Sequence, residues 1–139
     1  MKILTGVPAE RLNDIPSLAQ AAEHNGFSGL STQENRHNPF LPLAIAAVHS
    51  QHLELRTNVA IAFARSPMVA AGLAWDLQYA TAGRFVLGLG SQVKGHNQRR
   101  FSVPWSPPAP RLREYIEAIQ AIWVCWRDGT PLQYEGKHY

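Results

Sequence analysis

The stretch that decides the fold is Gly83-Arg84-Phe85-Val86-Leu87-Gly88-Leu89-Gly90-Ser91. Its apolar side chains are almost continuous, which is typical of a strand in a parallel sheet that is buried on both faces. We therefore predict a strand over residues 84–90. Gly83 stands just before it, where a helix commonly ends in the left-handed conformation that glycine tolerates best.

Three similar strand–helix pairs precede this stretch. Their strands are predicted over residues 3–7, 27–32 and 53–63. Their helices are predicted to begin at Asp14, Pro39 and Ser66, where a capping side chain or a proline suits the first turn. Apolar residues at helical spacing predict three buried helix faces: Ile15, Leu18, Ala19 and Ala22; Leu41, Leu43, Ile45 and Val48; and Val69, Leu73, Leu77 and Ala80.

A polar loop and a last helix follow the stretch. The loop carries Gln92, Lys94, His96, Arg99 and Arg100, and a proline-rich segment comes after it. The last helix is predicted to start near Arg111. Arg111 and Glu114 lie three residues apart on one helix face, so they can pair there.

Strand–helix units in series predict an α/β fold with a parallel sheet and right-handed crossovers. Two architectures satisfy this pattern: an open doubly wound sheet and part of a (β/α)8 barrel. Neither the spacing nor the composition distinguishes between them.

The composition excludes several classes of protein. The 139 residues are 45% apolar and 17% charged, which is enough apolar material for a buried core. The net charge of +3 is modest and forms no long basic stripe, so no nucleic-acid partner is expected. No apolar run is long enough to cross a membrane, and the first residues lack the features of a signal peptide. A cytoplasmic location is expected, with the single Cys125 a buried structural thiol.

Four groups of residues carry a resemblance to a known family. They are residues 83–91; Arg111 to Ile119 followed by Trp123; Thr57 to Ala60 with Arg65-Ser66-Pro67; and Ser91-Gln92-Val93 with Arg99-Arg100-Phe101 and Pro104-Trp105. In this order they resemble the luciferase-like monooxygenase family, and the last group is similar to a branch that depends on coenzyme F-420. The resemblance implies a (β/α)8 TIM barrel. Residues 1–139 would be the N-terminal part of that domain, a half-barrel of roughly the first four βα units.

The resemblance also implies an activity. Family members use FMN or coenzyme F-420, and coenzyme F-420 is our first choice. The implied reaction is hydride transfer or monooxygenation of a small organic substrate, and a homo-oligomer is expected. Since half of the barrel would be absent, we expect weak or no cofactor binding and no turnover by this chain alone. A non-catalytic half-barrel or association module is the alternative.

The cofactor residues that the resemblance implies lie on two strands. Asn58, Val59 and Ala60 are expected on the third strand, with a cis peptide bond between Asn58 and Val59. Gly88, Gly90 and Ser91 end the fourth strand. The glycines either let a flat ring approach the backbone or only relieve crowding inside the barrel.

The loop after the second strand is the expected catalytic region. Glu34 matches the acidic position that relatives place near the substrate, whereas Asn35 departs from their histidine. The basic loop after residue 91 either contacts a phosphate or the acidic tail of coenzyme F-420, or is simply solvated. His49 and His52 lack a partner at ligand spacing, so no metal site is predicted.

Overall fold

The computed structural model describes residues 1–7 and 10–139. These ranges contain six short strands and five α-helices. The strands are β1 (Leu4–Gly6), β2 (Gly29–Thr32), β3 (Glu54–Thr57), β4 (Ala60–Ile61), β5 (Phe85–Val86) and β6 (Leu89–Gly90). The helices are α1 (Ile15–His24), α2 (Phe40–His49), α3 (Pro67–Ala80), α4 (Lys94–Arg100) and α5 (Pro108–Asp128).

Four of the strands form a parallel sheet in the order β1-β2-β3-β5. Leu4 pairs with Gly29, Gly29 pairs with Glu54, and Leu55 pairs with Phe85. The parallel pairing confirms the prediction made from the four strand–helix units, and the sequential order agrees with the (β/α)8 barrel that the family resemblance implies. This order also excludes the doubly wound alternative, in which the first strand would lie between later ones.

The chain divides into two compact units, and each has its own apolar core. The first comprises Met1–Ala60 and Asp76–Leu89, and contains the four-stranded sheet with α1 and α2. The second comprises Ile61–Trp75 and Gly90–Tyr139. Buried residues of the first core include Ile15, Leu30, Leu43, Leu53 and Leu55, and those of the second include Phe63, Ala70, Ala71, Tyr115, Ile119 and Ile122.

Two predicted strands are interrupted. The strand predicted over residues 53–63 stops at Thr57, resumes at Ala60 and gives way to a 3-10 turn at Ala62–Ala64. The strand predicted over 84–90 is split between Val86 and Leu89. The two resumed pieces, β4 and β6, pair in a separate two-stranded sheet. Apolar continuity predicted both strands, but it carries no information on such breaks.

Several helix predictions need correction. The polar loop contains α4, and α5 starts at Pro108 because proline fits the first helical turn. Asp14 does stand before α1, but its carboxylate pairs with Arg11 instead of capping the helix. Ser66 does cap α3, since its Oγ accepts a hydrogen bond of 3.3 Å from the Val69 N–H.

The buried helix faces are also narrower than predicted. Leu18, Leu41, Val48 and Val69 are exposed. The buried positions of these helices include Ala19 and Ala22 in α1, Phe40, Ala46 and Ala47 in α2, and Ala70, Ala71 and Ala74 in α3. Cys125 is half-buried, not buried.

None of the helices within residues 1–7 and 10–139 combines the length and apolarity that crossing a bilayer requires.

Candidate functional site

A polar cavity of about 560 Å³ lies at the carboxyl ends of β1 and β2 in the first unit. This volume lies within the range of roughly 300–1,000 Å³ that small-molecule sites occupy. The side chains around it offer a hydroxyl, two amides, a guanidinium, an imidazole and a carboxylate. The lining residues are Gly6, Val7, Glu10, Ser31, Gln33, Asn35, Arg36 and His37.

The loop over residues 33–38 supplies half of this lining and is anchored at both ends. Before it, the buried Thr32 hydroxyl donates a hydrogen bond of 2.8 Å to the Pro39 carbonyl oxygen. After it, the Asn38 side-chain oxygen accepts the Phe40 N–H at 2.8 Å, at the start of α2. The loop is therefore held against the strand end while its tip remains exposed.

Glu34, the predicted catalytic residue, lies in this loop and is half-buried, but it is not one of the residues that line the cavity. Its neighbours Gln33 and Asn35 line the cavity, and the Asn35 amide donates to the Gln33 side-chain oxygen at 3.4 Å. His37 also lines the cavity. The loop thus brings a carboxylic acid and an imidazole to one strand end, where the chemistry of (β/α)8 barrels takes place.

The segment Asn58–Val59 follows β3, the next strand in the sheet. Its peptide bond is cis, at the position that the family resemblance implies. The Asn58 N–H donates to the Thr32 carbonyl oxygen at 2.6 Å, which ties this segment to the end of β2. Asn58 is exposed and Val59 is 39% exposed, so a ligand can reach both side chains.

Ala60 and Gly88 have a different environment. Ala60 is fully buried, and its N–H donates to the Gly88 carbonyl oxygen at 2.8 Å. A β-carbon added to Gly88 would lie 2.0 Å from the Thr57 carbonyl oxygen. The glycine is therefore required by the close approach of two backbones, which favours the crowding alternative over access for a ring at this position.

Thr57 bridges the strand break beside Gly88. Its hydroxyl donates to the Gly88 carbonyl oxygen at 2.7 Å and accepts the Gly88 N–H at 2.9 Å. This buried hydroxyl supplies a partner for the Gly88 N–H and a second hydrogen bond to the Gly88 carbonyl oxygen, which also accepts the Ala60 N–H. Residues 57 and 88 therefore act as one structural unit beneath the exposed Asn58–Val59 segment.

Gly90 and Ser91 belong to the second unit, and both are half-buried. The Ser91 carbonyl oxygen accepts a hydrogen bond of 3.0 Å from the Asn97 amide. The basic residues predicted in a loop lie instead on α4, where Lys94, His96, Arg99 and Arg100 are exposed. The Arg100 guanidinium stacks 4.8 Å from the centroid of the Phe101 ring.

Arg111 and Glu114, expected to pair, have separate partners in the second unit. Arg111 Nε donates to the Tyr139 hydroxyl at 3.1 Å, and its guanidinium lies 4.4 Å from the centroid of the Phe63 ring. The Glu114 carboxylate accepts the His138 N–H at 2.7 Å. Both residues fix the C-terminal tail onto α5.

Two carboxyl groups of the first unit, those of Glu23 and Glu54, have a lowered pKa. Both lie at the amino end of β3, whereas the cavity lies at the carboxyl ends of β1 and β2. Hydrogen bonds from Lys2 and Arg56 lower the pKa of Glu54, the first residue of β3. Burial alone would raise the pKa of Glu23, but hydrogen bonds from the backbone N–H groups of His52 and Gln51 outweigh it and lower the pKa. Such contacts at the amino ends of barrel strands serve stability.

The family model of luciferase-like monooxygenases matches residues 2–139. The chain belongs to the luciferase-like monooxygenase family. A protein of Mycobacterium tuberculosis strain H37Rv, whose name states no function, is 50% identical over 98% of this chain. Another protein of that strain, named as a coenzyme F-420-dependent oxidoreductase, is 34% identical over 88% of this chain. The chain spans only 40% and 35% of the lengths of these two relatives.

Solved structures of family enzymes share the fold. The monooxygenase RslO1 from Streptomyces bottropensis superposes with a TM-score of 0.84 at 22% identity, over all of this chain and 46% of that one. The oxygenating constituent of 3,6-diketocamphane monooxygenase from Pseudomonas putida, solved with FMN, gives 0.83 at 17% identity, over 100% of this chain and 43% of that one. The chain therefore has the α/β architecture of about the first half of a luciferase-like TIM barrel.

Sequence reasoning missed most of the cavity lining and the contacts of two buried polar side chains, Thr57 and Asn97. Glu10, Ser31, Gln33 and Arg36 lie at or just after the ends of β1 and β2, so the rule that barrel sites occupy strand ends would have found them. Asn97 had no such signal, because it stands among basic residues in a stretch that was predicted to be a loop.

Proposed function

We propose that this chain forms the N-terminal share of a flavin- or deazaflavin-dependent oxidoreductase, with coenzyme F-420 as the first choice of cofactor and FMN as the second. The observation that carries this proposal is the polar cavity at the carboxyl ends of β1 and β2, with the exposed Asn58–Val59 segment after the neighbouring strand. Family membership supplies the reaction class. The relatives named above support both cofactors.

In this proposal a flat ring with carbonyl and ring-nitrogen acceptors would bind beside the exposed segment of the first unit. Asn58 and Val59 would contact such a ring, because both are exposed, whereas Ala60 and Gly88 would only support them. When bound, the cofactor supplies hydride transfer, and reduced FMN can also activate oxygen; the protein supplies binding and orientation. Gly90 and Ser91 of the second unit remain predicted cofactor contacts.

The cavity residues would bind and orient a small organic substrate. Arg36 and the amides of Gln33 and Asn35 can donate hydrogen bonds to its oxygen atoms. The Glu34 carboxylate is the proposed group that gives or takes a proton. A general acid or base must come within hydrogen-bond reach of the transferred proton, so this role requires Glu34 to reach the substrate from its place in the loop beside the cavity.

A chimera tests this proposal. In it, this chain replaces the matching 40% of the M. tuberculosis protein that is 50% identical to it. The chimera and the isolated chain are titrated with FMN and with coenzyme F-420, and bound cofactor is followed by absorbance and fluorescence. We expect the chimera to bind one cofactor and the isolated chain to bind it much more weakly or not at all.

The unmodified M. tuberculosis protein is the control. If it binds a cofactor and the chimera, shown to be folded by circular dichroism, does not, the proposal is wrong and the alternative of a non-catalytic association module is favoured. Submicromolar binding by the isolated chain would instead show that this half of the barrel suffices. Light scattering on both proteins tests the expected homo-oligomer.

A further inference from the structure

The turn that follows β6 is held by a single buried side chain. Asn97 is 1% exposed, and its amide nitrogen donates to the carbonyl oxygens of Ser91 at 3.0 Å and Gln92 at 3.5 Å. The backbone carbonyl of Asn97 also accepts the Val103 N–H at 2.9 Å. Asn97 therefore links α4, the helix in which it lies, to the turn before that helix and to the segment after it.

The turn needs such a restraint because of its backbone conformation. Gln92 has a φ of 57°, a left-handed conformation that few residues other than glycine adopt. Within the turn itself, the Gln92 side-chain oxygen accepts the Val93 N–H at 2.9 Å. The Asn97 amide adds the contact from outside the turn, and it fixes the direction of two successive peptide groups.

The side-chain oxygen of Asn97 indicates which of its contacts explain the asparagine at this position. Its side-chain oxygen is buried and has no hydrogen-bond partner among the described residues. A buried acceptor without a partner is unfavourable, so an apolar residue of similar size would suit the packing as well or better. The asparagine is therefore explained by its donor contacts to residues 91 and 92 and not by stability.

We propose that Asn97 is a positioning residue, which holds the Ser91–Gln92 turn in the conformation that receives the cofactor. This inference rests on the proposed function, in which Gly90 and Ser91 contact the cofactor. Asn97 acts through the turn, since its own side chain is buried.

The competing interpretation is that Asn97 only stabilises the second unit. The two interpretations differ in what its replacement changes. Replacement of a purely structural residue lowers the folded fraction and leaves the affinity of the folded protein for the cofactor unchanged. Replacement of a positioning residue lowers the affinity of the fully folded protein for the cofactor and makes the turn less rigid.

The test compares Asn97→Leu with the wild-type sequence in the chimera described above. Loss of the amide contacts should weaken binding of FMN or coenzyme F-420 by roughly three- to tenfold, at a temperature where both proteins are fully folded. Amide hydrogen exchange at residues 91–93 should become faster, and this readout requires no cofactor. Asn97→Ser, which is too short to reach both carbonyl groups, is the second variant in case the leucine variant does not fold.

Ile119→Val is the matched control. Ile119 is 2% exposed in the same unit, so this change lowers stability without removing a contact to the turn. Unchanged affinity and unchanged exchange in Asn97→Leu would overturn the positioning role alone. Failure of the wild-type chimera to bind either cofactor would overturn the proposed function and this inference with it.

Discussion

Two buried polar side chains hold the two segments that the family resemblance assigns to the cofactor, and they do so differently. In the first unit, the Thr57 hydroxyl both donates to and accepts from Gly88, so its hydrogen-bonding capacity is used within the protein. In the second unit, the Asn97 amide donates to residues 91 and 92 while its oxygen has no partner among the described residues.

This difference in hydrogen bonding indicates that Thr57 stabilises the fold, whereas Asn97 positions the turn. A buried polar group with all its bonds formed adds to stability, whereas a half-satisfied one detracts from it. Thr57 should therefore matter most for the free energy of unfolding, and Asn97 for the conformation of the turn. The predictions below test this contrast, from the largest expected effect on stability to the smallest.

Gly88→Ala should have the largest effect. The added β-carbon would lie 2.0 Å from the Thr57 carbonyl oxygen, so one of the two backbones must move. We expect a loss of about 3 kcal/mol or more in the free energy of unfolding, measured by urea denaturation. Gly6→Ala in the same sheet is the control, since its β-carbon would meet nothing within 4 Å. Equal stability of the two variants would mean that residues 57 and 88 do not act as one unit.

Thr57→Val should lower stability by about 1–3 kcal/mol. Valine keeps the shape of threonine but leaves the N–H and the carbonyl of Gly88 without their hydroxyl partner. Thr57→Ser retains the hydroxyl and should recover most of the loss. If serine is no better than valine in chemical denaturation, packing and not hydrogen bonding explains the threonine.

Asn97→Leu should change stability by less than about 1 kcal/mol, because the lost donor contacts are offset by removal of an unpartnered oxygen. Thermal melting of the isolated chain measures this. If Asn97→Leu lowered the free energy of unfolding as much as Thr57→Val does, the two side chains would not differ, and Asn97 would be a structural residue.

Glu23→Gln should have the smallest effect and should depend on pH. The pKa of Glu23 is lowered from its ordinary value of 4.5 in the folded protein, because its carboxylate accepts the N–H groups of Gln51 and His52. A lowered folded-state pKa contributes stability that is present above pH 4.5 and is lost as the pH falls below it.

The Gln variant should therefore be slightly less stable than the wild type at neutral pH and should lose less stability between about pH 5 and pH 3. Urea denaturation across this range measures the difference. Identical pH profiles would show that the charge of Glu23 adds nothing to these backbone contacts. The contacts would then stabilise the protein as uncharged hydrogen bonds, as those of the Thr57 hydroxyl do.

Much of the fold could be predicted from the sequence. Hydrophobic runs and helix signals such as Ser66-Pro67 placed the four strand–helix units, and their serial arrangement predicted a parallel sheet. The choice of barrel and the cis peptide bond at Asn58–Val59 came from the family resemblance. The strand–helix units depend on residues close together in the sequence, so local pattern is enough to indicate them.

The candidate site could be predicted only in part. The loop with Glu34 was predicted from its place after a strand and from the acidic residue that the family resemblance implies there, but the cavity with Arg36 and His37 requires two strand ends to lie side by side. The roles of Gly88 and Ala60 depend on the hydrogen bond between them and on the contact of Gly88 with Thr57, which lies 31 positions earlier in the sequence. Such distances are set when the sheet forms and leave no local trace in the sequence.

The sequence by itself determined the series of strand–helix units, the polar loop after the second strand and the membership of the chain in its family. The tertiary structure alone decided where two strands break, which helix faces are buried and which polar side chains hold the broken ends. The physical reason is that apolar patterning reports whether a residue is buried, whereas a hydrogen bond such as that from Asn97 to Ser91 depends on the position of one atom relative to another.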